Sequence, residues 1–229
     1  MKHRIAVYTG TIVASLLLVA MEGRSVEKFP WVTVRETADG ITVKARETPG
    51  SNIRAVLATM EVAASPKTVI DVAGDPKTFN KTDKYLDDYR IYRKAGANVW
   101  HIYYLVNFPF VARRDYTLRY ERTVVPAKNL YKLSWRAASE VGPPPSEDVI
   151  RVDLADGWVE ATSLKNDTSS SVSYYVLADP GGHIPAWVMN IANKSTVPEI
   201  LRQIRDAALR RAHAAAFLDQ ATETMSTRP

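Results

Sequence analysis

The 229-residue chain contains no cysteine. That excludes a disulfide framework, a thiol nucleophile and a thiolate metal site. Histidine is almost as scarce: His101, His183 and His213 are scattered beyond the N-terminal leader, with no two at metal-ligand spacing, so no metal is expected. No Gly-x-Ser-x-Gly elbow, phosphate loop or dinucleotide fingerprint occurs. No catalytic residue and no cofactor are therefore expected. The basic residues are spread over the chain without the interleaved aromatics of a nucleic-acid module, so nucleic acid is not an expected partner.

What is present is the composition of a globular protein, 46% hydrophobic and 24% charged, at a length that suits one domain with a sizeable core. The net charge of +5 and pI near 9.3 favour association with anionic surfaces and say nothing of the fold. The leader has a basic tip, Lys2 and Arg4, followed by an uncharged stretch from Ile5 to Met21. This is the layout of a secretory signal, slightly short for a comfortable bilayer span. Residues 1–23 read as a signal peptide or an uncleaved N-terminal anchor, residues 24–219 as the folded domain, and residues 220–229 as a frayed tail. Export, to a periplasm or out of the cell, is the expected address.

Strand signals dominate the domain. "WVTVRE" and "ITVKARE" flank an Asp39-Gly40 turn, and "IRAVLATMEV" follows. Ser65-Pro66 and Asp75-Pro76 each announce a short helix by a cap and a proline. From Tyr89 strands return at hairpin distance, with turns expected at Ala95–Asn98 and at Asp156-Gly157, and the simplest solution is one antiparallel sheet of about nine strands. "EVGPPPSE" must run outside the ladder. "ADPGGHIPAWVMN" turns the last strand on Gly181 and Gly182 and opens a helix at Pro185. Thr196 to Glu199 has capping-box spacing, and Ile200, Leu201, Ile204, Ala208 and Leu209 continue an amphipathic helix with a basic outer face. A curved sheet gripping one helix need not fill its interior.

Two motifs bring a resemblance. "NFPFVARRDYTLRYER" (107–122) and "ADPGGHIPAWVMNIANKSTVPEILRQIR" (178–205) are similar to the START domain, the steroidogenic acute regulatory-related lipid-transfer family, and the second is closest to its phosphatidylcholine-transfer subgroup. The resemblance implies an α+β helix-grip (START/Bet v 1-like) fold, a curved antiparallel sheet around a long C-terminal helix with an internal hydrophobic cavity. It implies a carrier that holds one lipid or other hydrophobic molecule, touches membranes transiently and acts as a monomer. A helix-grip enzyme of the polyketide-cyclase kind, or a ligand sensor docking an envelope protein, is the alternative. Ligand contacts are expected from Arg119, Trp100, Tyr104, Tyr174, Trp187 and Ile191. Arg119 would meet the polar end, and the aromatics, with Tyr103 and Tyr175 as further candidates, would form a cation–π cage. Arg114, Asp115, Gly181, Gly182 and Pro185 are expected to hold the 107–113 loop and the corner before the helix.

Overall fold

The computed structural model describes residues 29–50, 53–79, 85–109, 111–182, 184 and 196–226. Strands β1 (Val32–Glu36) and β2 (Thr42–Glu47) form the expected hairpin, with Gly40 at φ +84° in its turn. After β3 (Arg54–Val62), helix α1 (Pro66–Ala73) starts where Ser65 accepts a hydrogen bond from the Thr68 amide at 3.2 Å. The second cap-plus-proline signal yields only the 3-10 turn Pro76–Thr78. There the Thr78 hydroxyl donates to the Val72 carbonyl at 2.6 Å, folding the chain back on the end of α1 before another helical turn can form.

Seven further strands follow: β4 (Leu86–Lys94), β5 (Val99–Val106), β6 (Arg113–Val125), β7 (Leu130–Ala137), β8 (Val149–Arg151), β9 (Leu154–Leu164) and β10 (Ser169–Asp179). Nine run antiparallel in the order β1-β2-β3-β10-β9-β7-β6-β5-β4. The tenth, β8, departs from the expected all-antiparallel sheet: it lies parallel to the start of β6, because the proline loop before it returns the chain to that end. A second departure concerns Asp156-Gly157. No turn forms there; β9 runs straight through and Gly157 faces Trp135 on one side and Val176 on the other.

Helix α2 (Val197–Ser226) continues beyond Gln220, where the sequence reads as frayed. Its buried stripe Val197, Leu201, Ile204 and Ala208 meets Val69, Ile70 and Val72 of α1 and one sheet face carrying Val43, Val56, Ala58, Val159 and Val172. The two helices thus cover β3, β7, β9 and β10. Among the described residues no helix is long and apolar enough to cross a bilayer.

The basic face of α2 is not simply solvated. Arg202 and Arg205 converge on Asp39 in the β1–β2 turn, with guanidinium-to-carboxylate distances of 2.7–3.1 Å. Hydrogen bonds from Arg202, Thr37 and Arg205 hold the Asp39 carboxyl well below the usual carboxylate range. A depressed pKa means the contribution is complete above the unfolded value near 4 and is lost only as pH falls through the folded value. Asp39→Asn is therefore expected to speed amide exchange in the first turns of α2 equally at pH 6 and pH 8. An effect confined to one of those pH values would show that another group governs the clamp.

Candidate functional site

Pairing across the sheet decides which side chains share its inner face. Trp100 stands opposite Tyr120, Tyr120 opposite Trp135, and Trp135 opposite Gly157, while Tyr104 stands opposite Tyr116 and Ile102 opposite Leu118. The rings form a continuous wall. Trp100 and Tyr120 stack at 5.8 Å, Tyr120 and Trp135 lie 6.0 Å apart, and Trp135 reaches Tyr174 at 5.4 Å across the space that Gly157 leaves open. Such ring pairs contribute roughly 0.5–1.5 kcal/mol each beyond their buried area.

The wall joins two apolar clusters. One is the core under the helices; the other, Leu118, Val152 and Ala155 with Tyr104 and Tyr116 against it, belongs to the β5–β6 half of the sheet. Tyr104 and Tyr120 retain accessible surface, yet burial raises the pKa of both phenols, as it does for Tyr174. Within the wall the Tyr104 and Tyr120 hydroxyls are 3.0 Å apart.

Of the ligand residues expected from sequence, Trp100, Tyr104 and Tyr174 are brought together on this inner face. Trp100 already has protein neighbours, Tyr120 in stack and the Arg122 guanidinium 5.8 Å from its ring centre, so it closes the wall toward α1. Tyr103 and Tyr175 alternate to the outer face, where Tyr103 donates to Asp115 and Tyr175 stacks on Trp158 at 5.7 Å. Trp187, Ile191 and Pro185 lie outside the described residues.

Arg119 is corrected by register. Leu118 and Tyr120 point inward, so Arg119 between them points outward and binds Glu121 at 2.6 Å. The arginines of β6 that share the face of Leu118 and Tyr120 are Arg114, at the rim, and Arg122, which meets Asp71 of α1 at 3.3 Å. Arg119→Ala is expected to leave binding at the inner face within about twofold and stability within about 1 kcal/mol, as for a half-exposed ion pair. A titration with any occupant of the inner space checks this.

Arg114 and Asp115 act at the rim. Arg114, desolvated enough to lower its pKa, donates to the Ala112 carbonyl of the 107–113 loop and to the Pro180 and Gly181 carbonyls at 3.3 and 3.5 Å. Gly181 and Gly182, at φ +68° and +65°, bend the chain there, and Asp179 accepts from the Gly181 amide at 2.9 Å. Asp115 receives two hydrogen bonds from Arg151, at 2.7 and 2.8 Å, and Arg151 also holds the Pro143 carbonyl at 3.0 Å. This ties the proline loop and β8 to the outer face of β6. His101 and Thr117 are buried on that face, and the His101 Nδ1 and Thr117 Oγ1 atoms have no hydrogen-bond partner among the described residues. Burial, then Arg119 and Arg93, lower the His101 pKa.

Sequence reasoning passed over Tyr116, Tyr120 and Trp135. Tyr116 and Tyr120 share one face of β6, opposite Tyr104 and Trp100, and Trp135 of β7 follows opposite Tyr120; that alternation was the available signal. An open concavity of about 680 Å³ lined by Phe29, Arg46, Pro49, Tyr175 and Leu177 lies on the other side of the sheet from this wall. Among the described residues no group of three or more His, Asp or Glu could hold a metal ion.

A curved antiparallel sheet gripped by helices on one face defines the helix-grip class. The chain belongs to the START domain family, whose model matches residues 12–215. It is 28% identical to the phosphatidylcholine transfer proteins of mouse, over 61% of this chain and 65% of the relative, and of human, over 62% and 67%. The chain thus spans about two thirds of the length of the curated relatives it matches. Human STARD10 superposes with a TM-score of 0.66 at 20% identity, covering 79% of this chain and 73% of that one. A STAR-related lipid transfer protein from Xanthomonas axonopodis superposes at 0.64 and 22% identity, covering 77% and 97%.

Proposed function

We propose that the protein is an exported lipid carrier that holds one hydrophobic molecule against the wall of Tyr104, Tyr116, Leu118, Tyr120, Trp135 and Tyr174. The observation that carries this reading is the wall itself, a continuous run of aromatic rings on the sheet face that the helices grip. Such a surface gains roughly 0.8 kcal/mol for each methylene buried on it. The names of the relatives, phosphatidylcholine transfer proteins, point to a phospholipid-sized occupant.

Burial raises the pKa of the Tyr104, Tyr120 and Tyr174 phenols, which keeps them neutral hydrogen-bond donors. That favours holding over chemical conversion. The residues Arg114 ties together, the 107–113 loop and the Gly181–Gly182 corner, form the edge through which an occupant would pass. The leader directs the carrier to an exported compartment, and the positive charge favours brief contact with anionic membranes as a monomer.

Native mass spectrometry of the purified protein, with extraction of what it retains, is the test. One lipid per chain is the expected result. A protein that is empty and takes up no phospholipid, sterol or fatty acid from vesicles would overturn the reading.

A further inference from the structure

Among the described residues the Tyr104–Tyr120 pair is the one place on the inner wall where two side-chain hydroxyls bond each other, and its hydrogens can be counted. Two phenols carry two hydroxyl hydrogens, and the bond between the oxygens, 3.0 Å apart, uses one of them. The second has no acceptor among the described residues. A desolvated donor without an acceptor is destabilising, so the pair calls for an oxygen from whatever lies against the wall. Burial keeps both phenols neutral, so neither hydrogen is lost at ordinary pH.

The charge beside the pair says which oxygen suits it. The Arg122 charge is neutralised by Asp71 at 3.3 Å and its guanidinium stands over Trp100, although its Nε has no hydrogen-bond partner among the described residues, and Arg114 is engaged by the carbonyls of Ala112, Pro180 and Gly181. An anionic oxygen brought to the phenols would be desolvated without a free counter-charge. An uncharged carbonyl oxygen meets a neutral donor at no such cost.

Resting on the carrier reading above, we infer that the Tyr104–Tyr120 pair is the polar selectivity element of the inner space, donating one hydrogen bond to an ester carbonyl of an acyl lipid. The pairing has a distinctive consequence. If Tyr104 is replaced by phenylalanine, Tyr120 still has its own hydrogen to donate, and the reverse holds for Tyr120. Only loss of both hydroxyls removes the donor, and phenylalanine preserves the ring stacking on Trp100 and Tyr116.

The experiment is uptake by the full chain from vesicles of dioleoylphosphatidylcholine or of its dialkyl ether analogue, which lacks the carbonyls. Tyr104→Phe and Tyr120→Phe are each expected to bind the diacyl lipid within about threefold of the parent. The double variant is expected to lose about tenfold, a factor that corresponds to one hydrogen bond of about 1.4 kcal/mol. The ether lipid is expected to bind parent and double variant alike, which also shows that the double variant is folded. Diacyl binding unchanged in the double variant overturns the inference, as do single variants that each lose as much as the double. An equal loss for both lipids places the donor on the head group and overturns the carbonyl assignment. A parent chain that takes up neither lipid overturns the carrier reading itself, a result distinct from all of these.

Discussion

Asp115→Ala is expected to lower the unfolding free energy by about 3–5 kcal/mol, the usual cost of removing one partner of a buried ion pair. For a domain of this size that corresponds to a fall in melting temperature of about 10 °C. Asp115 is 3% exposed and accepts both arms of the Arg151 fork at 2.7 and 2.8 Å, with the Tyr103 hydroxyl at 3.3 Å as a third donor. Truncation leaves a desolvated guanidinium facing an apolar methyl and releases the tie between β6 and the proline loop. The hydrogen bonds from Arg151 to Asp115 are also what raises the Arg151 pKa, so each charge stabilises the other. The paired replacement Asp115→Leu with Arg151→Met removes both charges and is expected to cost less than the two single changes added together. Urea unfolding of Asp115→Leu, Arg151→Met and the double variant checks this. Strict additivity would mean that the two residues act independently.

Gly157→Val is the second large expected effect, about 3 kcal/mol at the upper end of overpacking. A β-carbon at Gly157 would come within 2.6 Å of Trp135 Cε2 and 2.5 Å of the Tyr175 carbonyl oxygen. One obstruction is a side chain that can move; the other is the backbone of β10, which cannot move without loosening its ladder with β9. Trp135 would be expelled from its place between Tyr120 and Tyr174, and the wall would break in the middle. The variant is expected to change the near-ultraviolet circular dichroism of the tryptophans and to lose any retained lipid as well as stability. A Gly157→Val protein as stable as the parent would show that Trp135 has room elsewhere.

Gly157 also shows where local sequence signals stop. Asp-Gly is strong turn chemistry, and in the β1–β2 hairpin the same dipeptide, Asp39-Gly40, does form the turn. In β9 it does not, because the residue is needed without a side chain beneath an indole that comes from another strand. The two dipeptides differ only in what lies across from them. Likewise Ser65-Pro66 opens a helix while Asp75-Pro76 opens a single 3-10 turn, since the Thr78 hydroxyl captures a carbonyl of the helix just completed.

The sequence by itself determined the order of strands and helices, the caps of α1, the glycine corner before the closing segment and, through two motifs, the family. Those features reside in contiguous residues, where propensity, turn chemistry and period-two alternation act directly. The tertiary structure alone decided which member of each alternating pair faces the interior. Alternation requires Arg119 and Tyr120 to oppose each other, and Tyr103 and Tyr104 likewise, but it assigns neither to a face. That assignment comes from pairing with β5 and β7 and from the helices packed on one side, which turned Tyr104, Tyr120 and Arg122 inward and left Arg119 to Glu121 on the outer surface. A one-residue shift in register would have reversed every one of these placements.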